Sequence, residues 1–229
     1  MTVSTLPPES ATRPDAPPAT PVPGRWTPPV IALAVGVGLG PVDLLLQRVL
    51  PYPFADLADS PAVWALVAFA VGWCCRGRWW PTAAGTLALV LAVEGYYATA
   101  VLALGDDPST LTDASAEAWL VTGVAAGLVF GTAGAWARSA HVWRGPLGTA
   151  TAVGVLLAEA WLDLARAAGT EADAGFRHDQ VQTALVLVVL AGLAAVLAGR
   201  SARQRVAGLA LALPIALAGA LAFSTLGFL

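Results

Sequence analysis

From residue 28 onward the sequence consists of apolar runs about as long as a bilayer is thick, separated by short polar breaks. A hydrocarbon core of roughly 30 Å takes about 20 helical residues at 1.5 Å each. Runs of that order fall at 28–49, 61–76, 81–104, 116–137, 146–166, 180–199 and 206–227. Apolar residues surround each helix instead of forming one stripe, as a helix in lipid requires and an amphipathic soluble helix does not. The expected fold is all-α: a polytopic transmembrane helical bundle of seven spans. The short second run, ending in Cys74-Cys75-Arg76, is the one whose loss would leave six.

Charge content agrees. Only 12% of the residues are charged, against about 25% in soluble domains, too few to clothe a water-facing surface. That excludes a soluble enzyme. A net charge of −3 leaves no basic footprint for nucleic acid. All 12 basic residues are Arg, with no Lys or Asn, and Ala abounds, a pattern of GC-rich coding and not of chemistry.

Residues 1–27 differ from the rest. Pro7, Pro8, Pro14, Pro17, Pro18, Pro21 and Pro23 punctuate polar residues, so this segment is expected to be a disordered cytoplasmic tail. It lacks the basic start and apolar core of a secretory signal, which makes the first run an uncleaved span. The transmembrane bundle then occupies 28–229. With the tail inside, Arg13, Arg25, Arg76, Arg78, Arg138, Arg144, Arg200, Arg203 and Arg205 are cytoplasmic, and only Arg48, Arg166 and Arg177 fall outside. This is the sense of the positive-inside rule. It predicts a plasma-membrane protein with its N-terminus cytoplasmic and, for seven spans, its C-terminus outside. Trp26, Trp79, Trp80 and Trp143 flank the inner edge as interfacial anchors, and Tyr52, Trp64 and Trp119 the outer one.

The residues that could carry chemistry are acids within spans: Asp43, Glu94, Glu159 and Asp163. A carboxylate at membrane depth costs about 2.5–3.5 kcal/mol on insertion scales, so it usually faces protein or water. Pro29 to Asp43 is 14 residues, and Pro81 to Glu94 and Pro146 to Glu159 are 13 each. Asp43, Glu94 and Glu159 are thus expected at one level, about 20 Å from the inner helix ends. Similar Arg-Trp-Pro entries before these spans suggest a weak parallel repeat. Tyr97, at i+3, is the local partner expected for Glu94. Arg166 shares a face with Glu159 and Asp163 and is positioned to neutralise Asp163, while Arg48 lies near Asp43.

Two readings of these acids stay open. They bind a small cation, proton or basic solute in a cavity, or they are paired groups that fix helix contacts. In the fourth span Gly123, Gly127 and Gly131 recur every four residues, the spacing of a close helix-packing face and of a surface through which a membrane partner could dock. Gly36, Gly38, Gly40 and Pro41 precede Asp43 and favour packing there. The adjacent Cys74 and Cys75 are too few for a zinc site and are read as packing residues. His141 and His178 lie in opposite loops. No catalytic or nucleotide-binding motif occurs, so neither an enzyme nor a cofactor is expected.

The run Glu94-Gly95-Tyr96-Tyr97-Ala98-Thr99-Ala100, followed by Gly127-Leu128-Val129-Phe130-Gly131-Thr132-Ala133-Gly134 and Leu157-Ala158-Glu159-Ala160, resembles a family of small multi-pass membrane proteins of unknown function from actinobacteria. The likeness covers roughly residues 60–165. It implies a membrane protein of actinobacterial origin and no particular activity. Two functions are therefore expected to compete: binding or transport of a cationic solute through Glu94, Glu159 and Asp43, and a non-catalytic scaffold or accessory subunit. An intramembrane lipid enzyme is a third, without a motif behind it.

Overall fold

A computed structural model describes residues 27–169 and 172–225, so all of the expected tail except Thr27 lies outside the described residues. The elements are α1 (Thr27–Val49), α2 (Phe54–Ala58), α3 (Pro61–Cys74), α4 (Trp80–Leu104), a 3₁₀ turn (Pro108–Thr112), α5 (Ala114–Ala137), α6 (Arg144–Ala167), α7 (Ala174–Ala198) and α8 (Ala202–Thr225). No strand occurs among the described residues.

Six helices, α1 and α4 to α8, are long and apolar enough to cross a membrane. The expected seventh span exists as α3, but it has 14 residues and stops at Cys74, short of the 61–76 run. At 1.5 Å per residue it rises only about 21 Å. Local chemistry sets both ends. Ser60 caps the start, accepting the Val63 N–H at 3.1 Å, with Pro61 in the first helical position. Cys75 is already extended, and Gly77 follows at φ 109°, a left-handed conformation that glycine tolerates. The bundle thus has six long rods and one short one, not seven equal spans.

Packing inverts the soluble pattern. The interior is small: Ala32, Ala88, Ala92, Ala150 and Ala212 are fully buried. The outside is large and apolar: Val37, Leu128, Val189 and Leu213 stand exposed. Between lipid and protein there is little hydrophobic drive, so helices associate by close approach of small residues. Here α1 lies on α4, α4 on α5, α5 on α3, and α6 on both α7 and α8. α6 is the most enclosed of the long helices.

Glycines make the closest crossings. A Cβ on Gly40 would fall 2.0 Å from the Ala92 carbonyl oxygen, and one on Gly127 would fall 2.3 Å from Thr86 Cα. Gly131 meets Pro81 and Gly85 of α4 and also Gly72 of α3, while Gly123 faces Leu89 and Val93. The glycine face of α5 is therefore filled by α3 and α4, and the association surface expected there is occupied within the chain. Gly36 and Gly40 likewise hold α1 against α4.

The arginine-rich end is held by one buried amide. Gln204 Nε2 on α8 lies 2.9 Å from the Ala137 carbonyl oxygen, 3.0 Å from Thr149 Oγ1, 3.2 Å from the Gly145 carbonyl and 3.3 Å from that of Ala198. That knots the ends of α5, α6, α7 and α8 together. Arg138 reaches the Cys75 carbonyl oxygen, tying the exit of α3 to the exit of α5.

The crossings predict a contrast between two glycines. Gly127→Ala forces backbone apart and should destabilise the bundle by about 2–3 kcal/mol. Gly38→Ala, with nothing within 4 Å of the added carbon, should be neutral or stabilise by up to about 1 kcal/mol. Thermal unfolding of both variants in detergent checks the pair; equal behaviour would contradict this packing.

Candidate functional site

α3 starts deep. The Ala62 N–H at its first turn donates to Glu159 Oε2 at 2.7 Å, and Glu159 stands eight residues before α6 ends at Ala167, a rise of about 12 Å. Space is left above α3, and α2 and its flanking residues lie over it. Two adjoining cavities occupy this end of the bundle, of about 250 Å³ and about 380 Å³. Asp59, Pro61 and Trp119 line both.

The smaller cavity is acidic. Asp56, Asp59, Glu159 and Asp163 line it, with Arg166 as the basic side chain among the described lining residues. Arg166 Nη1 bonds Asp163 Oδ1 at 3.0 Å, the pairing expected from sequence. Asp163 Oδ2 is nevertheless buried without a hydrogen-bond partner, and so is Oε1 of Gln180 on α7, which lines the same cavity. Thr183 on α7 donates to Asp56 Oδ2 at 3.0 Å, joining α2 to α7.

The larger cavity is aromatic. Trp64 and Tyr96 meet edge to face with centroids 6.5 Å apart, and Tyr96 and Tyr97 do so at 5.5 Å. Asp43 and Gly123 also line it. Asp43 is 4% exposed, and Arg48, near it in sequence, is not among its hydrogen-bond partners. Its partners are Gln47, 2.9 Å away, and Trp64. Gln47 also reaches Asp59 at 3.2 Å, linking Asp43 to the rim.

Of the predicted site residues, Asp43, Glu159, Asp163 and Tyr97 converge here. Glu94 does not. It is exposed on α4 and lines neither cavity. At 100° per residue it falls nearly opposite the Gly85-Ala88-Leu89-Ala92 face that α4 turns inward. Proline spacing predicts height along a helix but not the face, and this acid is on the outward side. Tyr97 is accordingly not its partner; the phenol lies 3.3 Å from Ser115 Oγ on α5.

Sequence reasoning missed Asp56, Asp59, Gln180 and Thr183 as site residues. The signal present was the Ser60-Pro61 helix start, which places α3's beginning, and hence the cavity floor, beside them. Among the described residues no three carboxylate, imidazole or thiol groups gather as a metal site. The chamber concentrates negative charge and acceptors, and it offers an aromatic wall on one side. Such an arrangement can hold an N–H-bearing cation or exchange protons.

Asp56 lies outside the long helices, and burial raises its carboxyl above the ordinary value, with Asp179 adding to the rise and Thr183 opposing it. A carboxyl with a raised folded pKa contributes stability that is lost as pH rises through that pKa. Asp56→Asn should therefore melt higher than the parent at pH 7. The gap should close as pH falls toward 3.8, the carboxyl's ordinary value. Melting curves across pH test this, and a gap that widens on acidification would contradict it.

No curated protein and no solved structure matches the chain. Residues 19–228 match a family of unknown function, DUF6518. The chain, a six-helix membrane-type bundle with one shorter helix inside it, belongs to that family of unknown function.

Proposed function

We propose that this protein binds a small cation or basic solute in the acid-lined chamber at the arginine-poor end of the bundle, as a transporter or as the solute-capturing part of one. The observation that carries the reading is the gathering of Asp43, Asp56, Asp59, Glu159 and Asp163 around two adjoining cavities. Carboxylates brought together at low dielectric repel one another, and a bound cation or proton relieves that repulsion. Arginine placement supports an orientation in which the chamber opens outside the cell: Arg76, Arg78, Arg138, Arg144, Arg200, Arg203 and Arg205 stand at the opposite end. On this reading the protein sits in the plasma membrane with its N-terminus cytoplasmic. It is non-catalytic and needs no cofactor. An all-Arg basic set fits the actinobacterial origin that the sequence resemblance implies.

Glu94 favours a second reading, a scaffold or accessory subunit. A carboxyl at mid-helix on a lipid-facing stripe calls for a donor from a neighbouring membrane protein. The contact would then run through α4 and not through the glycine face of α5.

Titration of the purified protein in lipid nanodiscs with sodium, potassium, calcium, ammonium and putrescine, read by thermal shift, separates the two. At least one cation should raise the melting temperature. Asp59→Asn should weaken that effect about tenfold, and Glu94→Gln should leave it within about twofold. If no cation acts, or if Glu94→Gln abolishes the effect, the chamber is not the site.

A further inference from the structure

We infer that the chamber's ligand is a primary ammonium ion carrying an aromatic or apolar body, with its ammonium between α6 and α7 and its body against Trp64 and Tyr96. This rests on the cation-binding reading above and narrows it to a chemical class. The first support is the pair of orphaned acceptors. Asp163 is 4% exposed, and its Oδ2 and Gln180 Oε1 are both buried in the smaller cavity with no donor. Buried acceptors are rarely left so, because each loses its hydrogen bonds to water and gains nothing in return. The nearby Thr183 hydroxyl does not serve them: its one proton is shared between Asp56 Oδ2 and the Asp179 carbonyl oxygen, 3.0 and 3.1 Å away.

Asp56, Asp59 and Glu159 line the same space, and Arg166, the basic side chain among the described lining residues, already pairs with Asp163 Oδ1, so the acids favour a small, mobile, positively charged donor. A primary ammonium brings three N–H groups and one charge. A quaternary ammonium brings the charge but no N–H, and a neutral alcohol brings a donor without the charge. A bare metal ion lacks a converging ligand set among the described residues. The second support is the larger cavity, which continues from the first across Asp59, Pro61 and Trp119. Trp64, Tyr96 and Tyr97 stack edge to face along it, a surface that suits a flat or apolar body and the face of which attracts a cation. A single molecule with a charged head and an apolar body can occupy both halves at once.

The full chain in nanodiscs is titrated by calorimetry with 2-phenylethylammonium, methylammonium, trimethyl(2-phenylethyl)ammonium and 2-phenylethanol. The expected result is that 2-phenylethylammonium binds at least tenfold more tightly than each of the other three. Asp163→Asn should remove most of that preference over the trimethyl analogue. Gln180→Met, a variant on the rim of α7 that keeps side-chain length, should weaken 2-phenylethylammonium several-fold even if Asp163→Asn fails to fold. Equal or tighter binding of methylammonium or the trimethyl analogue overturns the class while leaving a cation site standing. Equal binding of the alcohol shows that only a neutral donor is needed and overturns the class too. Absence of binding by every cation overturns the underlying reading as well.

Discussion

The structure depends on one hydrogen bond between unequal helices. α3 is 14 residues long beside six long helices of 23–25, and Glu159 holds the first turn that Ser60 and Pro61 begin by accepting the Ala62 N–H at 2.7 Å. The first turn of any helix has backbone N–H groups with no partner, and an anion there also meets the positive end of the helix dipole. In lipid such groups must be satisfied by protein. Glu159 does so from about 12 Å below the end of α6, so α3's start sits low and the chamber forms above it. One carboxylate thus serves the fold and shapes the cavity it lines, which joins the structural and functional readings of the intramembrane acids.

The two ends of the bundle handle polarity differently. At the arginine-rich end donors face backbone acceptors: Gln204 Nε2 lies within 3.3 Å of three neighbouring carbonyls, Arg205 and Arg200 cap helix exits at Gly199 and Arg138, and the one buried group left unpaired there among the described residues is a donor, Arg138 Nε. At the opposite end acceptors outnumber donors. Asp163 and Gln180 keep buried oxygens unpaired, and Asp43 is satisfied by Gln47 and Trp64 rather than by a countercharge. A surplus of buried acceptors beside a cavity is a place where a donor belongs. The middle of the bundle, with its glycine crossings, is rigid apolar packing between them.

Much of this was legible in the sequence. Run length and charge content implied an all-α membrane bundle because lipid imposes both. The Asp163–Arg166 pair followed from i, i+3 geometry within one helix. What the sequence concealed was long-range. The face that α4 turns inward is chosen by where Gly36 and Gly40 of α1 and Gly127 of α5 press on it, so Glu94 ended outside. Asp56 and Asp59 did not stand out in the sequence because their partners, Thr183 on α7 and Gln47 on α1, come from distant parts of the chain. The shortness of α3 was visible at Ser60-Pro61, but its consequence, a void at one end, appears only once the longer helices stand beside it.

The central claim is that, in the membrane, a water-accessible acidic chamber opens at the end opposite the arginine-rich loops. Cysteine accessibility in intact cells tests it most directly. In a background with Cys74 and Cys75 replaced by Ala, Gln180→Cys should react with a membrane-impermeant thiol reagent added outside. Ser139→Cys, beside Arg138 at the other end, should react only after the cells are opened. Labelling of Ser139→Cys from outside, or a Gln180→Cys that reacts from neither side, would contradict the account.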